Sequence, residues 1–250
     1  MRYRLVCLDA GFTLLSPRLT LVDSLRGVLV EHGLSPTDEE LQRAWQAADA
    51  WFWDEYHRPG NDTWTRDDAI EETWRRYHDL MLRELGMEGR RELVERVVRA
   101  QFSADTWELY PDVLPALEAL RSGDPGGTAP MIGVVSDWGS NLTDVLEGVG
   151  LTPYVDFVLA SGAAGFAKPD PAFFRLAAAR AGVEPAEAVM VGDSYQADVV
   201  GARSAGMDGI LLSRTDGGAG SPAPEAPGVP VIASLAELPA LVADASPLVG

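Results

Sequence analysis

Short apolar runs alternate with amphipathic stretches over most of this 250-residue chain. Runs rich in strand-forming residues predict strands at 4–8, 131–136, 157–161, 189–192 and 210–213. Apolar positions spaced by three and four predict helices at 112–121, 140–149, 171–181 and 196–205. Stretches rich in Gly and Pro predict loops at 123–130 and 217–230, the second of them long and mobile. Alternation of strands and helices is typical of an α/β fold, so we predict a doubly wound parallel sheet with helices on both faces.

Residues 17–107 interrupt this alternation, because their apolar positions follow a helical period and include no convincing strand. Thr37, with Glu40 three residues later, has the pattern of a capping box at the start of one helix. The first predicted strand precedes this block, so we interpret the block as an insertion. We therefore expect an α/β core made of residues 1–16 and 108–250 and a helical cap made of residues 17–107.

The charge of the chain limits its partners. Its net charge of −18 repels nucleic acids and anionic membranes. No apolar run reaches the roughly 18 residues that a membrane span needs, and Cys7, as the only cysteine, allows no intramolecular disulfide. We therefore expect a cytoplasmic protein that binds neither nucleic acid nor membrane. A small anionic substrate would need a metal ion or a helix N-terminus to offset the negative field. The sequence carries no signal for an oligomeric state.

Polar residues that could carry chemistry follow the predicted strands, where open parallel sheets bind their ligands. These residues, with one from the loop before a helix, are Asp9, Ser136, Asp137, Lys168, Asp193 and Asp198. Lys168 is the only lysine beside 19 arginines, and its ammonium is a compact point charge that arginine does not supply. Singly, each of these residues could be a helix cap or a surface charge. Together they predict a cluster of carboxylate, hydroxyl and ammonium groups at one rim of the sheet.

In their order, these residues resemble the four motifs of the haloacid dehalogenase-like hydrolase superfamily. The matching positions are Asp9 with Thr13, then Ser136, then Lys168 in a Lys-Pro-Asp triplet, and finally Gly192-Asp193 with Asp198. A single Asp-x-x-x-Thr or Lys-Pro would be weak, but four motifs in order on the expected elements are specific. The resemblance implies a Rossmann-like core with an inserted helical cap.

The resemblance also implies roles for these side chains. Asp9 would attack the substrate and form a covalent aspartyl intermediate. Thr13 and Ser136 would hydrogen-bond the transferring group, while Lys168 would neutralise its charge and keep Asp9 ionised. Ser136, Asp137 and Lys168 would contact the substrate.

A magnesium ion is the cofactor that the resemblance implies. Asp9 and Asp193 would bind it through carboxylate oxygens, and Gly11 would contribute its backbone carbonyl. Asp198 would either bind the metal ion as a further ligand or orient the other ligands without binding the ion itself.

Gly11 departs from the phosphatases of this family, which usually carry Asp-x-Asp with an acid–base aspartate at this position. Glycine has no side chain for that task. The absence of the acid–base aspartate lowers the rate by about 10²–10⁴-fold, mostly for substrates with poor leaving groups. The hydrolysis of aryl and acyl phosphates, which have good leaving groups, would be slowed least.

The cap could supply a substitute proton donor. His57 follows an aromatic run at 51–56 and is the candidate, because histidine titrates near neutrality. The alternative, a partly exposed residue at a helix end, is the more common role of a histidine in such a position. His32 and His78 lie among helical surface patterns and are weaker candidates. Five tryptophans recur in the cap and are expected to form mostly its packing core, with one or two lining an apolar substrate pocket: Trp45, Trp51, Trp53, Trp64 and Trp74.

The function that we predict is a magnesium-dependent phosphatase of a small phosphorylated metabolite. Two alternatives stay open at this point. A metal-independent dehalogenase-type hydrolase agrees with Gly11 but not with Asp193, since dehalogenases of the family lack that carboxylate. A binding protein that keeps the metal site without turnover agrees with both residues. Phosphonate hydrolases use a cap lysine, and this cap contains none.

Overall fold

A six-stranded parallel sheet forms the centre of the structure, a computed structural model that describes residues 3–56, 58, 60–123, 129–214 and 228–243. In chain order, the strands of the described residues are β1 (Leu5–Leu8), β2 (Leu15–Pro17), β3 (Trp107–Leu109), β4 (Met131–Ser136), β5 (Phe157–Ala160), β6 (Ala188–Gly192), β7 (Asp208–Leu212) and β8 (Val231–Ile232). The sheet has the order β5-β4-β1-β6-β7-β8, and its neighbouring strands are all parallel. Strands β4 and β5 lie on one side of β1, and β6, β7 and β8 lie on the other, which confirms the predicted doubly wound α/β fold.

Helices cover both faces of the sheet and also form a separate group. In chain order, the α-helices of the described residues are α1 (Leu21–Glu31), α2 (Asp38–Tyr56), α3 (Asp67–Glu84), α4 (Arg91–Gln101), α5 (Val113–Ser122), α6 (Leu142–Gly148), α7 (Ser161–Ala164), α8 (Pro171–Ala181), α9 (Gly201–Ala205) and α10 (Leu238–Ala243). Within this part of the chain, no helix is long and apolar enough to cross a membrane.

The central strands are continuous apolar runs because both of their faces are covered. All residues of β1 and β6 are buried. Alternate side chains of β1 point to opposite faces: Val6 packs in the same cluster as Leu117 of α5, and Cys7 in the same cluster as Phe173 of α8. These two clusters, one on each face of the sheet, form the core.

Helices α1–α4, which we call the helical segment, pack around an apolar core of their own that includes Leu29, Tyr77 and Val97. The capping box predicted at the start of α2 is confirmed, since the Thr37 N–H donates to Glu40 Oε2 at 2.7 Å and the Glu40 N–H donates back to Thr37 Oγ1 at 3.3 Å. The helical character predicted for this block is therefore correct.

The two ends of the helical segment differ from the prediction. β2 and β3 pair antiparallel there, with Leu15 opposite Leu109 and Pro17 opposite Trp107. We expected no strand between residues 17 and 107. Each strand shares only one residue with that block, Pro17 or Trp107, so the described residues inside the block contain no strand, as expected. The two strands at its edges were not predicted, because three residues leave too short an alternation to be recognised. The predicted loops at 123–130 and 217–230 fall mostly outside the described residues.

Candidate active site

The carboxyl ends of β1, β4 and β6 bring the predicted residues to one edge of the sheet. Leu8 of β1 lies opposite Val134 of β4 and Val191 of β6, so the loops after the three strands are neighbours. Asp9 follows the central strand, and Asp193 follows β6. Strand order reverses at β1, and ligands of open α/β sheets bind in the crevice at such a switch point.

Lys168 lies at the centre of the cluster. Its Nζ donates to Asp9 Oδ1 and to Asp198 Oδ1, both at 2.6 Å, and all three side chains are buried. Burial acts to lower the pKa of Lys168, but the charges of Asp198 and Asp9 outweigh it and raise this pKa well above the usual lysine value. Lys168 therefore provides a permanent positive charge beside Asp9.

Asp198 is positioned by an unusual turn of helix. It lies in the π-helix Tyr195–Val200, and its Oδ2 accepts a hydrogen bond from the Ser194 N–H at 3.0 Å. A Cβ at Gly192 would come within 2.1 Å of that same oxygen, so the close approach of Asp198 requires glycine there. Single π-helical turns are frequent at functional sites. With Lys168 on Oδ1 and Ser194 on Oδ2, both carboxylate oxygens of Asp198 have partners in the chain.

Three carboxylates form a group that could hold a cation. Asp9, Asp193 and Asp198 each offer an oxygen, and these oxygens lie within 4.8 Å of one another. Thr13 Oγ1 donates to Asp193 Oδ1 at 3.3 Å. Burial, and then the charge of Asp9, raise the pKa of Asp193. A divalent cation would relieve this repulsion, and carboxylate oxygens are ligands that Mg²⁺ prefers, so the residues present fit a magnesium ion.

The loop that carries Asp9 is held at both ends. The Asp9 N–H donates to the Val191 carbonyl of β6 at 3.0 Å, and Arg214 Nη2 donates to the Thr13 carbonyl at 2.7 Å. Between them, Phe12 has a φ of 57°, a left-handed conformation that is rare for a bulky residue. The loop therefore adopts one tight turn that its neighbours maintain.

Gly11 lies in this loop, and its surroundings leave room for a side chain. A Cβ at position 11 would have Trp138 Cζ3 as its nearest neighbour, at 3.6 Å, which is an ordinary van der Waals contact. Gly11 is not among the residues with positive φ. Local packing therefore does not require glycine at position 11. The absence of a carboxylate at this position is not imposed by the fold.

Ser136 and Asp137 lie at the end of β4. Ser136 is only 2% exposed. Asp137 Oδ1 accepts from the Lys168 N–H at 2.9 Å, and its Oδ2 accepts from the Tyr56 hydroxyl at 3.4 Å. Burial, opposed by the charge of Lys168, raises the pKa of Asp137 to about 7. Asp137 thus connects the edge of the sheet with the helical segment.

The structure brings most of the predicted site residues together. The residues at or beside the cluster are Asp9, Gly11, Thr13, Ser136, Asp137, Lys168, Asp193 and Asp198. His57, the predicted donor from the cap, lies outside the described residues. Tyr56 and Arg214 contact the site but were not predicted, because neither has a local sequence pattern that reveals a partner far along the chain.

His78 was wrongly expected on a helical surface. It is fully buried, and its Nε2 lies 2.8 Å from Gln101 Oε1, inside the helical segment. Burial lowers its pKa to about 4, so the ring is neutral at pH 7. Its spacing from buried Met81 and Leu82 on the same helix was a signal for burial that the sequence did contain.

Most of the tryptophans of the helical segment are packing residues, as predicted. Those that pack against its core or are themselves buried are Trp45, Trp51, Trp64 and Trp74. Trp53 differs, since it is 42% exposed.

Comparison with known protein sequences gives a consistent set of similarities. A family model described as a haloacid dehalogenase-like hydrolase matches residues 20–206. The chain is 40% identical over 121 residues to haloacid dehalogenase-like hydrolase domain-containing protein 3 of Bos taurus, covering 48% of this chain and 46% of that protein. It is 36% identical over 142 residues to the glyceraldehyde 3-phosphate phosphatase of Methanopyrus kandleri, covering 56% and 59%. These alignments therefore span about half the length of each relative.

Solved structures are similar over nearly the whole chain. The 2-haloacid dehalogenase from Pseudomonas syringae superposes with a TM-score of 0.64 at 25% identity, covering 96% of this chain and 98% of that one. The HAD-hydrolase YfnB from Bacillus subtilis superposes with a TM-score of 0.74 at 20% identity, covering 97% and 99%. At such identity the second likeness concerns the fold alone.

Proposed function

The chain belongs to the haloacid dehalogenase-like hydrolase family, and from this premise we propose that it is a magnesium-dependent phosphatase of a small phosphorylated metabolite. The observation that carries the proposal is the environment of Asp9. One Asp9 oxygen lies 2.6 Å from Lys168 Nζ, and the carboxylate group of Asp193 belongs to the same cluster. A carboxylate nucleophile beside a permanent ammonium and a cation site suits the attack on a phosphate ester. The similarity to a relative named as a phosphatase supports this choice.

Asp9 acts as the nucleophile in this proposal. A carboxylate oxygen of Asp9 bonds to phosphorus while the bond from phosphorus to the leaving-group oxygen breaks, and that oxygen keeps the electron pair. Water then attacks phosphorus, which releases inorganic phosphate and restores the Asp9 carboxylate. Lys168 stabilises the negative charge of the phosphoryl group, and the hydroxyls of Thr13 and Ser136 donate hydrogen bonds to its oxygens.

Magnesium would be held by Asp9 and Asp193, with the Gly11 carbonyl as a third ligand. Asp198 has both oxygens engaged by other groups, so it supports the site through Lys168 and Ser194. When bound, the ion would offset the charge of the carboxylates and of the phosphate. The substrate is anionic, and this compensation matters in a chain of net charge −18.

Gly11 restricts the substrate in this proposal. No carboxylic acid at position 11 protonates the leaving group, so a leaving group that is stable as an anion reacts best. Aryl and acyl phosphates have such leaving groups.

The helical segment acts as the cap over this site. We assign residues 17–107 to the cap and residues 1–16 and 108–250 to the core. Contacts between the two support the assignment, because Asp67 Oδ1 at the start of α3 accepts from the Ser140 N–H at 2.8 Å, and Tyr56 reaches Asp137.

The first test is hydrolysis of 4-nitrophenyl phosphate by the purified protein with magnesium and with EDTA. We expect turnover with magnesium, loss of turnover with EDTA, and a loss of roughly 10⁴-fold or more in the Asp9→Asn variant, which lacks the nucleophile. The exposed Asp144 provides a matched control, and Asp144→Asn should keep full activity.

A dehalogenase is the second candidate, because Gly11 and the likeness to the Pseudomonas syringae enzyme favour it. Asp193 argues against it. Halide release from a 2-haloacid that survives EDTA would establish the dehalogenase and reject the phosphatase. Absence of turnover with phosphate esters and haloacids alike would leave a binding function.

A further inference from the structure

The hydroxyl of Tyr56 is a polar group that the helical segment brings to the catalytic cluster. Tyr56 is the last residue of α2, and its hydroxyl donates to Asp137 Oδ2 at 3.4 Å. The other oxygen of Asp137 accepts from the Lys168 N–H at 2.9 Å, and Lys168 Nζ reaches Asp9 at 2.6 Å. Three contacts, through Asp137 and Lys168, therefore connect the phenol with the nucleophile. Its bond to Asp137 is long, so an incoming oxygen could replace that partner.

The ring of Tyr56 is held in place by other aromatic rings. Phe52 stacks on it, with ring centroids 6.2 Å apart and an interplanar angle of 20°. Trp53 and Trp64 each pack against it edge to face, with centroids 5.7 Å away. Such contacts fix a side chain that has only two χ angles. The hydroxyl is thus a positioned group and not a mobile one.

The electrostatic surroundings keep this hydroxyl protonated. Burial, followed by the charge of Asp137, raises the pKa of Tyr56 well above the usual tyrosine value. The charges of Lys168, Asp198 and Asp9 also act on it, which places the phenol within the field of the catalytic cluster. A phenol in this state donates hydrogen bonds and does not act as a base.

The geometry of phosphoryl transfer defines what a donor at this place could do. In such reactions the attacking and leaving oxygens lie roughly in line on opposite sides of phosphorus. Asp9 comes from the end of β1, so the leaving-group oxygen faces away from the sheet edge. Tyr56 is supplied by the helical segment, not by the sheet.

On the basis of the proposed phosphatase function, we propose that Tyr56 donates a hydrogen bond to the leaving-group oxygen and thereby replaces part of the function that Gly11 cannot perform. As the bond from Asp9 to phosphorus forms and the ester bond breaks, the electron pair moves onto the leaving-group oxygen. Tyr56 stabilises this charge and keeps its own proton, and the leaving group departs as an anion that later takes a proton from water. The substrate class is therefore phosphate monoesters of acidic hydroxyl groups, such as phenols and enols.

A pair of aryl phosphates tests this role. In 4-nitrophenyl phosphate the nitro group draws much of the leaving oxygen's charge into the ring. The leaving oxygen of phenyl phosphate keeps more of its charge, so a hydrogen bond to it matters more. The variant Tyr56→Phe removes one oxygen and keeps the ring contacts with Phe52. We expect kcat/KM to fall about 10- to 100-fold for phenyl phosphate and no more than about 3-fold for 4-nitrophenyl phosphate.

The matched control is Tyr154→Phe. The Tyr154 hydroxyl also donates at 3.4 Å to a carboxylate, Glu118 Oε1, but at an exposed place away from the site. Both rates should stay within about 2-fold of wild type in this variant. Thermal melting of each variant confirms that it is folded.

Equal losses on the two esters, or no loss on either, would overturn the role of Tyr56 while leaving the phosphatase function intact. A wild-type protein that hydrolyses neither ester would overturn the phosphatase function, and the role of Tyr56 with it. Only a loss that depends on the leaving group supports the proposal.

Discussion

At the scale of single residues, Gly11 determines which chemistry this site lacks. In the proposed mechanism, the cluster otherwise supplies a nucleophile in Asp9, an ammonium group in Lys168 and a further carboxylate in Asp193. An acid–base carboxylate is what the proposed mechanism lacks, and a Cβ at position 11 would meet Trp138 only at 3.6 Å, an ordinary van der Waals distance. Position 11 therefore accepts a Cβ without forcing the loop to move.

We expect Gly11→Asp to accelerate hydrolysis of phosphate esters with poor leaving groups. A carboxylic acid at this place can protonate an alkoxide, and general acid catalysis contributes about 10²–10⁴-fold where it is well aligned. Because the alignment is not optimised, a gain of about 10-fold or more on an alkyl phosphate, with little change on 4-nitrophenyl phosphate, is the expected result. Steady-state kinetics measures it.

The control for this substitution is Gly11→Asn, which has nearly the same shape but no acidic proton. Equal rates in the two variants would mean that position 11 does not take part in proton transfer in this protein.

The strand ends predicted which residues lie together, because a parallel sheet brings all its carboxyl ends to one edge. Asp9 and Asp193 are far apart in sequence, yet the register of β1 and β6 makes them neighbours. Tyr56 could not be predicted in the same way. Its place at the end of α2 is clear from the pattern, but its contact with Asp137 depends on how the helical segment packs on the sheet.

At the scale of elements, Arg214 belongs to a network that connects the loop carrying Asp9 with two other parts of the chain. Its side chain is 7% exposed and donates to both oxygens of Asp112, at 2.9 and 3.1 Å, and to the Thr13 carbonyl at 2.7 Å. Asp112 also accepts from Ser234 Oγ at 2.7 Å, and the Arg214 guanidinium lies 3.8 Å from the ring centroid of Tyr110. Arg214 thus joins the loop after β1 to the start of α5, and Asp112 extends the network to Ser234.

We expect Arg214→Ala to lower the free energy of unfolding by about 2–4 kcal/mol, because it leaves the half-buried Asp112 carboxylate without its cation and the Thr13 carbonyl without its donor. The control is Arg4→Ala. Arg4 pairs with Glu187 at 3.1 Å, but the two side chains are 60% and 37% exposed, so the loss should stay below about 1 kcal/mol. Urea unfolding of both variants measures the difference. Equal losses would show that the Arg214 network does not stabilise the loop.

The elements that the sequence predicted are those with strong patterns. The helix Pro171–Ala181 was predicted at both ends, because Pro marks its first turn and Gly182 its end. The two strands β2 and β3 were missed, since each has three residues and pairs with a partner at least ninety positions away. Near Asp198, the predicted helix at 196–205 is a π-helix followed by α9, a distinction that apolar periodicity does not make.

At the scale of the whole molecule, stability should depend on pH through His78. Its pKa is lowered from 6.5 to about 4 in the folded protein, so the unfolded chain binds more protons between these values. Stability therefore falls as pH decreases from about 6.5 toward about 4.

We expect the wild type to lose about 2–3 kcal/mol more of its unfolding free energy than His78→Gln between about pH 7.5 and about pH 4.5. Glutamine keeps a donor for Gln101 and cannot be protonated in this range. His32→Gln, at an exposed histidine, should follow the wild type. Urea unfolding at both pH values measures the loss. Parallel curves for wild type and His78→Gln would contradict the assignment of His78 as the group responsible.

The measurement that tests the central claim most directly is the detection of a phosphoryl group on Asp9. The protein is mixed with 4-nitrophenyl phosphate and magnesium, quenched in acid during turnover, digested and analysed by mass spectrometry. We predict that the peptide containing Asp9 gains the mass of one phosphoryl group and that this gain is absent in Asp9→Asn. Turnover without a phosphorylated Asp9, together with full activity of Asp9→Asn, would contradict the account.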